Sequence, residues 1–328
     1  MSRTMWRVAK HEGVGNIQLE QVPVPDPGPG EVLVRTKASL ISRGSELWNR
    51  YIKENAVDPA IMGYSTTGVV VAVGEGVGAY APGDRVVSVA PHAEYSLAST
   101  APEAVRGRIS PLADGVGHDV GTFHPLCTSA FGWTAAAEIG VQHAVAILGQ
   151  GIVGNLITQF ARRFGPAQRI AVDALDLRCR LAREVNGSEV PVVDASTVDP
   201  VEEVRNLTGG RGADIVIDCV GGRAGLESFA QAQRMLAPGG LLQLIGLYHG
   251  GPLPLDASRM MGRRLMGGYP PTTDRAAIGR GAMAAMARGE VSLAPLITHR
   301  FPGNEAKRAF DLLYEHPGQA MGVVFEWD

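Results

Sequence analysis

Between residue 5 and about residue 120 the apolar positions come in short runs broken by proline and glycine. "VPVPDPGPGEVLVRTKAS", "GVVVAVGEGVG", "PGDRVVSVAP" and "AEYSLAS" are examples. β-branched residues in short stretches bounded by turn formers predict strands, so this third of the chain is mostly β. From about 140 the texture changes. Apolar runs such as "HAVAILG", "RIAVD", "ADIVIDCVG" and "GGLLQLIG" alternate with helical patterns such as "NLITQFARRFG" and "AGLESFAQAQRML". That alternation predicts a parallel sheet with helices on both faces. After about 268 come the helix-like "RAAIGRGAMAAMARGE", a proline-containing joint, a second helix in "NEAKRAFDLLYEH" and a final strand in "GVVFEW". No internal repeat or low-complexity segment interrupts the order.

Composition narrows the function. With 328 residues, 45% of them hydrophobic, the chain can bury a large core. Thirty Lys and Arg against 33 Asp and Glu give a net charge of −3, which leaves no basic footprint for nucleic acid. The expected partner is a small molecule. Cys127, Cys179 and Cys219 are far apart and form no CxxC, which argues against a disulfide framework and against a cysteine-rich zinc site. The opening "MSRTMWRVAKHEG" lacks the apolar core of a signal peptide, and no apolar run approaches the ~20 residues that span a bilayer. A cytoplasmic protein without membrane contact is the expectation.

The strongest local motif is "HAVAILGQGIVGNLITQFARRFG". Gly149, Gly151 and Gly154 fall between a buried-type strand and a helix whose Leu156, Ile157, Phe160 and Phe164 recur at helical spacing. The first glycine permits a tight turn, the second lets a pyrophosphate approach the backbone, and the third lets helix and strand pack closely. Phosphates would then meet the free N–H groups of the helix head, around Ile152 and Val153. The next strand ends in Asp173, 19 residues after Gly154, where an acid receives the ribose hydroxyls and repels a 2′-phosphate. NAD(H) is therefore the expected cofactor. Arg178, five residues on, keeps NADP(H) open, because an arginine at that corner accommodates a phosphate.

These segments together resemble the medium-chain dehydrogenase/reductase superfamily, the alcohol and polyol dehydrogenase group, over nearly the whole chain. The resemblance is carried by "GEVLVRTKAS", "GYSTTGVVVAVGEGVGAYAPGDRVV", "FHPLCTSAFGWTAA", the "GQGIVG…VD" pair and "ITHRFPGNEAKRAFDLL". It implies an α/β molecule: a GroES-like, mostly β catalytic domain from residues 1–122 and 268–328, and a Rossmann domain with a doubly wound parallel sheet at 123–267. It also implies a homodimer through the edge of the Rossmann sheet, which "GGLLQLIGLYHGGPLPL" is expected to supply. Arg43 is similar to a family position contacting the cofactor pyrophosphate, with a surface ion pair to Glu46 as its ordinary alternative. Gly246 and Leu247 resemble the loop beside the nicotinamide, whereas Gly322 stands where many relatives carry a basic residue.

The departure lies at the metal. The family's catalytic zinc takes a Cys, a His and a Cys or Glu, and the matching positions are Ser42, Tyr64 and His124. Neutral hydroxyls are poor partners for Zn2+, and the segment between Pro91 and His124 has no cysteine for a structural zinc lobe. A zinc-free member is expected. Tyr64 and His124 are then candidates to hold a substrate oxygen and handle its proton, with Ser42 or Ser45 as a further hydrogen-bond partner. The alternative is that Tyr64 fills the space of the missing metal and His124 is a satisfied packing residue. Tyr51 and Glu46 share the same loop, and His92, His118, His249 and His299 read as ordinary surface or packing histidines.

Three functions compete. The leading one is zinc-independent, NAD(H)-dependent interconversion of a secondary alcohol and a ketone on a polyol-, sugar- or cyclitol-like compound or a specialised metabolite. The second is a zinc-free enoyl or quinone reductase using NAD(P)H. The third is a non-catalytic nucleotide-binding protein.

Overall fold

The computed structural model describes residues 3–101, 104, 107–246, 251–268 and 274–327. The chain divides into two compact units. One comprises Met1–Pro125, Met283–Arg288 and Ile297–Asp328, and the other Leu126–Ala282 and Gly289–Leu296. Residues 274–282 group with the second unit, whereas the sequence pattern put the return to the terminal unit at 268.

The first unit is built on a seven-stranded sheet. Its path runs Ile297–Pro302, Gly322–Glu326, Glu31–Leu40, Thr66–Val73, Arg85–Ser88 and Ile109–Pro111, with Tyr95–Ser99 also pairing with Glu31–Leu40. The pairing Val324↔Leu40 stitches the C-terminal strand antiparallel to an early one, so both chain ends make a single unit. A separate hairpin pairs Thr4–Lys10 with Ile17–Pro23. One core of this unit gathers Ile41, Leu47, Tyr51 and Met62 with Phe301, Phe310, Phe325 and Trp327. Burying aromatic rings from both ends of the chain ties them more firmly than strand pairing alone.

The second unit is the expected doubly wound α/β fold. Six parallel strands lie in the order Val192–Asp194, Gln168–Asp173, Ala144–Leu148, Ala213–Asp218, Leu236–Leu244 and Arg264–Gly267. By position in the unit this is 3-2-1-4-5-6, and the order reverses between the first and fourth strands, where such folds bind nucleotides. Ala144–Leu148 is buried at every residue, as a central strand covered on both faces must be. Local chemistry sets the helix ends: Asp199 caps Pro200–Leu207, accepting the amides of Val201 and Glu202, with proline in the first turn.

One expectation is corrected. Leu236–Leu244, the "GGLLQL" run expected at a sheet edge, is an inner strand with neighbours on both sides, and the edge on that side is Arg264–Gly267. The run reads as an edge because its turn-rich continuation hides the short strand that follows it. Among the described residues no helix is long and apolar enough to cross a membrane.

Candidate functional site

The glycine loop has the geometry its sequence predicts. Gly149, directly after Ala144–Leu148, has φ +82°, and Gly151 heads the helix Ile152–Ala161. A Cβ on Gly154 would lie 1.8 Å from the carbonyl oxygen of Gly149, so helix and strand touch backbone to backbone. Gly151 is the open position: the nearest atoms to a Cβ there belong to the Arg178 guanidinium, at 3.9 Å and beyond. Ile152 is buried and Val153 partly exposed.

Asp173 braces this loop. Its Oδ2 accepts the Gln150 amide at 2.6 Å, its Oδ1 accepts the Leu175 amide at 2.9 Å, and Arg178 Nη1 stands 3.5 Å from Oδ2. The Gln150 side chain is buried, donating to Ile147 O at 3.1 Å and accepting from Thr158 Oγ1 at 3.2 Å. Gly246 reaches the same end of the sheet, its N–H donating to Asp218 O at 3.0 Å. A Cβ on it would sit 2.3 Å from Val220 O, and a Cβ on Gly149 would meet Val220 Cγ2 at 2.8 Å. Val220 therefore joins the loops after the first, fourth and fifth strands. The sequence reading missed it, since a lone valine after a strand carries no distinguishing signal. Leu247 lies outside the described residues. The bare helix head, the close backbone approach and the acid at the second strand fit a dinucleotide: Gly149 to Gly154 would face its pyrophosphate and Asp173 its adenosine ribose.

The hydroxyl cluster belongs to the first unit. Ser42 caps a wide helical turn, the π-helix Arg43–Tyr51, and Tyr64 precedes the strand Thr66–Val73. The Tyr64 hydroxyl donates to Ser42 Oγ at 2.5 Å, and the Ser45 side chain also hydrogen-bonds to Tyr64. Arg50 lies over the Tyr64 ring, its Cζ 5.9 Å from the centroid. Burial pushes the Tyr64 pKa above that of an ordinary phenol, against the opposing pull of the two serines and Arg50, so Tyr64 is a neutral donor near pH 7. His124 is buried at the first position of the helix His124–Ala136. Arg43 donates its Nε to Leu313 O at 3.2 Å. Glu46, its expected surface partner, is instead wholly buried, with Arg50 at 3.6 Å and His92 at 2.9 Å. Tyr51 is buried and donates to Asp311 at 2.8 Å.

This donor set does not suit Zn2+. Ser42 and Tyr64 are neutral hydroxyls bonded to each other, and His124 supplies a single imidazole. Among the described residues no group of three His, Cys, Asp or Glu side chains converges as metal ligands would.

Two family models match the chain. "Alcohol dehydrogenase GroES-like domain" covers residues 28–140 and "Zinc-binding dehydrogenase" covers 153–268. An alcohol dehydrogenase of Cupriavidus necator is 27% identical over 358 residues, spanning 94% of this chain and 95% of its own. An L-threonine 3-dehydrogenase of Pyrococcus abyssi is 27% identical across 99% of both chains. The chain belongs to the medium-chain dehydrogenase/reductase superfamily. Among solved structures, 2R,3R-butanediol dehydrogenase from Bacillus subtilis shares the fold with a TM-score of 0.82 at 20% identity, covering 99% of this chain and 100% of its own. As a medium-chain dehydrogenase/reductase the protein is an NAD(P)-dependent oxidoreductase of the alcohol-dehydrogenase type, and the glycine loop of its second unit has the corresponding form.

Proposed function

We propose that this enzyme interconverts a secondary alcohol and a ketone with NAD(H) and without catalytic zinc. The substrate class is polar: a polyol-, sugar- or cyclitol-like compound or a specialised metabolite. One observation carries the reading. Ser42 and Tyr64, which by family resemblance correspond to zinc-ligand positions, form a hydroxyl pair, Tyr64 on Ser42 at 2.5 Å, where a thiolate and an imidazole would be needed for the metal.

The bound nicotinamide supplies or receives the hydride. The chain must then manage the oxygen and its proton. In the reducing direction a carbonyl oxygen gains a proton as its carbon gains hydride, and the Tyr64 phenol is the group to give it. To give its hydrogen to the substrate oxygen the Tyr64 hydroxyl turns it away from Ser42, and the phenolate left behind accepts hydrogen bonds from Ser42 and Ser45 beside the Arg50 charge, the groups that pull the Tyr64 pKa down against burial. His124 is proposed to relay the replacement proton, since imidazole exchanges protons near neutral pH. In the oxidising direction each transfer runs backwards. Asp173 supports NAD(H) over NADP(H), because its carboxylate would lie against a 2′-phosphate; Arg178 at 3.5 Å softens that exclusion.

The test is NADH consumption by chelator-treated protein on a panel of cyclic and sugar-derived ketones against a panel of enones and quinones. Turnover of ketones that survives metal removal supports the proposal. Reaction with enones or quinones alone replaces it with reduction of C=C or quinone systems, and tight NADH binding with no turnover replaces it with a non-catalytic role.

A further inference from the structure

Ser42 caps Arg43–Tyr51, yet its hydroxyl makes no capping hydrogen bond. A serine there ordinarily turns its oxygen onto an amide of the first turn. Here the oxygen faces Tyr64, and the backbone N–H of Ser42 is taken by Glu46, whose Oε1 accepts it at 2.9 Å. This is like the returning half of a capping box, set one residue further on in the wide turn, without the outgoing half. The glutamate anchors the turn by its backbone, which leaves the serine hydroxyl available.

Glu46 is fully buried, and a buried carboxylate is costly unless its oxygens are satisfied. Its Oε2 meets His92 Nε2 at 2.9 Å, with Arg50 Nη1 at 3.6 Å as counter-charge. His92 is fully buried as well, and its Nδ1 is 2.8 Å from Ser39 Oγ. The direction of these bonds follows from the Glu46 end. A carboxylate oxygen can only accept, so His92 Nε2 carries a hydrogen and donates it to Glu46. In the neutral ring Nδ1 then accepts from Ser39 Oγ, which itself accepts the Trp327 Nε1 hydrogen at 2.9 Å.

His92 also holds the other partner. Its backbone N–H donates to Met62 O at 2.6 Å. Gly63, with φ +111°, packs so closely that a Cβ would lie 2.7 Å from His92 N and 3.0 Å from its Cγ. One residue thus braces the segment before Tyr64 through its backbone and the turn after Ser42 through its ring.

We infer that Glu46 and His92 are a positioning pair that keeps the Ser42 hydroxyl off its helix cap and fixed against Tyr64. Neither residue meets the reacting atoms. Their consequence for turnover rests on the hydroxyl chemistry proposed above, but the positioning is read directly on Tyr64.

The experiment uses full-length protein labelled with [¹³Cζ]tyrosine, in which Tyr64→Phe identifies the Tyr64 resonance and Ser42→Ala sets the displacement for a lost hydroxyl partner. Glu46→Ala and His92→Gln are expected to move the resonance in the same direction by at least half that displacement. Glu46→Gln, which keeps an oxygen for the Ser42 amide, is expected to bring it most of the way back. Where the enzyme reduces a ketone of the panel, kcat should fall about tenfold in Glu46→Ala with KM for NADH unchanged, the scale of one misplaced hydrogen bond. If His92→Gln fails to fold, Ser39→Ala takes away the hydroxyl shared by Nδ1 and Trp327 Nε1, leaves the His92 ring in place and gives the same reading. A resonance left in place while the melting temperature falls overturns the inference, as does a Glu46→Gln displacement as large as that of Glu46→Ala. Failure of the functional proposal looks different: Tyr64→Phe would leave turnover intact while the resonance still followed Glu46 and His92.

Discussion

At the scale of single residues the proposed reaction turns on one phenol. Removing the Tyr64 hydroxyl takes away both the proposed proton donor and the partner of Ser42. Tyr64→Phe should lower kcat for ketone reduction about 100-fold, within the usual range for a positioned acid, while the Kd for NADH holds. Steady-state kinetics with fluorescence titration of NADH separates the two, and unchanged kcat removes Tyr64 from the mechanism. Asp173 is the residue proposed to set cofactor choice. Its carboxylate ties Gln150 and Leu175 and stands beside Arg178. Asp173→Ser should release Arg178 for a 2′-phosphate and raise the kcat/KM ratio of NADPH to NADH at least tenfold, about 1.4 kcal/mol of discrimination. A ratio that stays put would assign cofactor choice elsewhere. The place of Asp173 at a strand end was legible because the glycine motif and strand spacing are local, whereas Ser42 and Tyr64 came into view through the family resemblance and not through a backbone motif. Glu46 and His92 were not legible: they are 46 residues apart, and only the folded chain reveals that a polar residue in a turn-like stretch is wholly buried and paired.

At the scale of elements, the glycine motif was the most legible because its constraint is local. The contact between Gly154 and the carbonyl of Gly149 involves backbone alone, so no side chain can yield to make room. Gly154→Ala should therefore push the helix Ile152–Ala161 off the strand Ala144–Leu148, costing roughly 1–3 kcal/mol and weakening NADH binding. Thermal melts with and without NADH test this. A wild-type melting temperature would mean that the helix moves freely and that close packing is not what the glycine secures. The turn Arg43–Tyr51 was illegible for the opposite reason. "SRGSELWNRY" carries no capping box at standard spacing, and what closes its head is a carboxylate held by a distant histidine. The edge strand Arg264–Gly267 also escaped notice. It is four residues long, mostly exposed and without alternation, and it owes its form to the neighbour Leu236–Leu244.

At the scale of the whole molecule, the shift from β runs to alternating strands and helices was visible in the chain, while the sheet order that sets its edges was not. With Leu236–Leu244 inside the sheet, dimerisation through the sheet edge on that side would use Arg264–Gly267, whose one strand neighbour among the described residues is Leu236–Leu244. An unpaired edge attracts a second strand unless charge or cover blunts it. In the segment leading into this strand and in the strand itself, Leu255, Met261 and Leu265 are exposed at 50%, 80% and 46%, apolar surface of the kind a partner covers. A homodimer pairing these edges about a two-fold axis would bring Leu265 against the partner strand. Leu265→Lys would set like charges against each other across that axis and should convert a dimer to a monomer in light scattering after size exclusion. A wild-type protein that already runs as a monomer would show that the edge stays open, and a dimer indifferent to Leu265→Lys would show that the contact lies on another face.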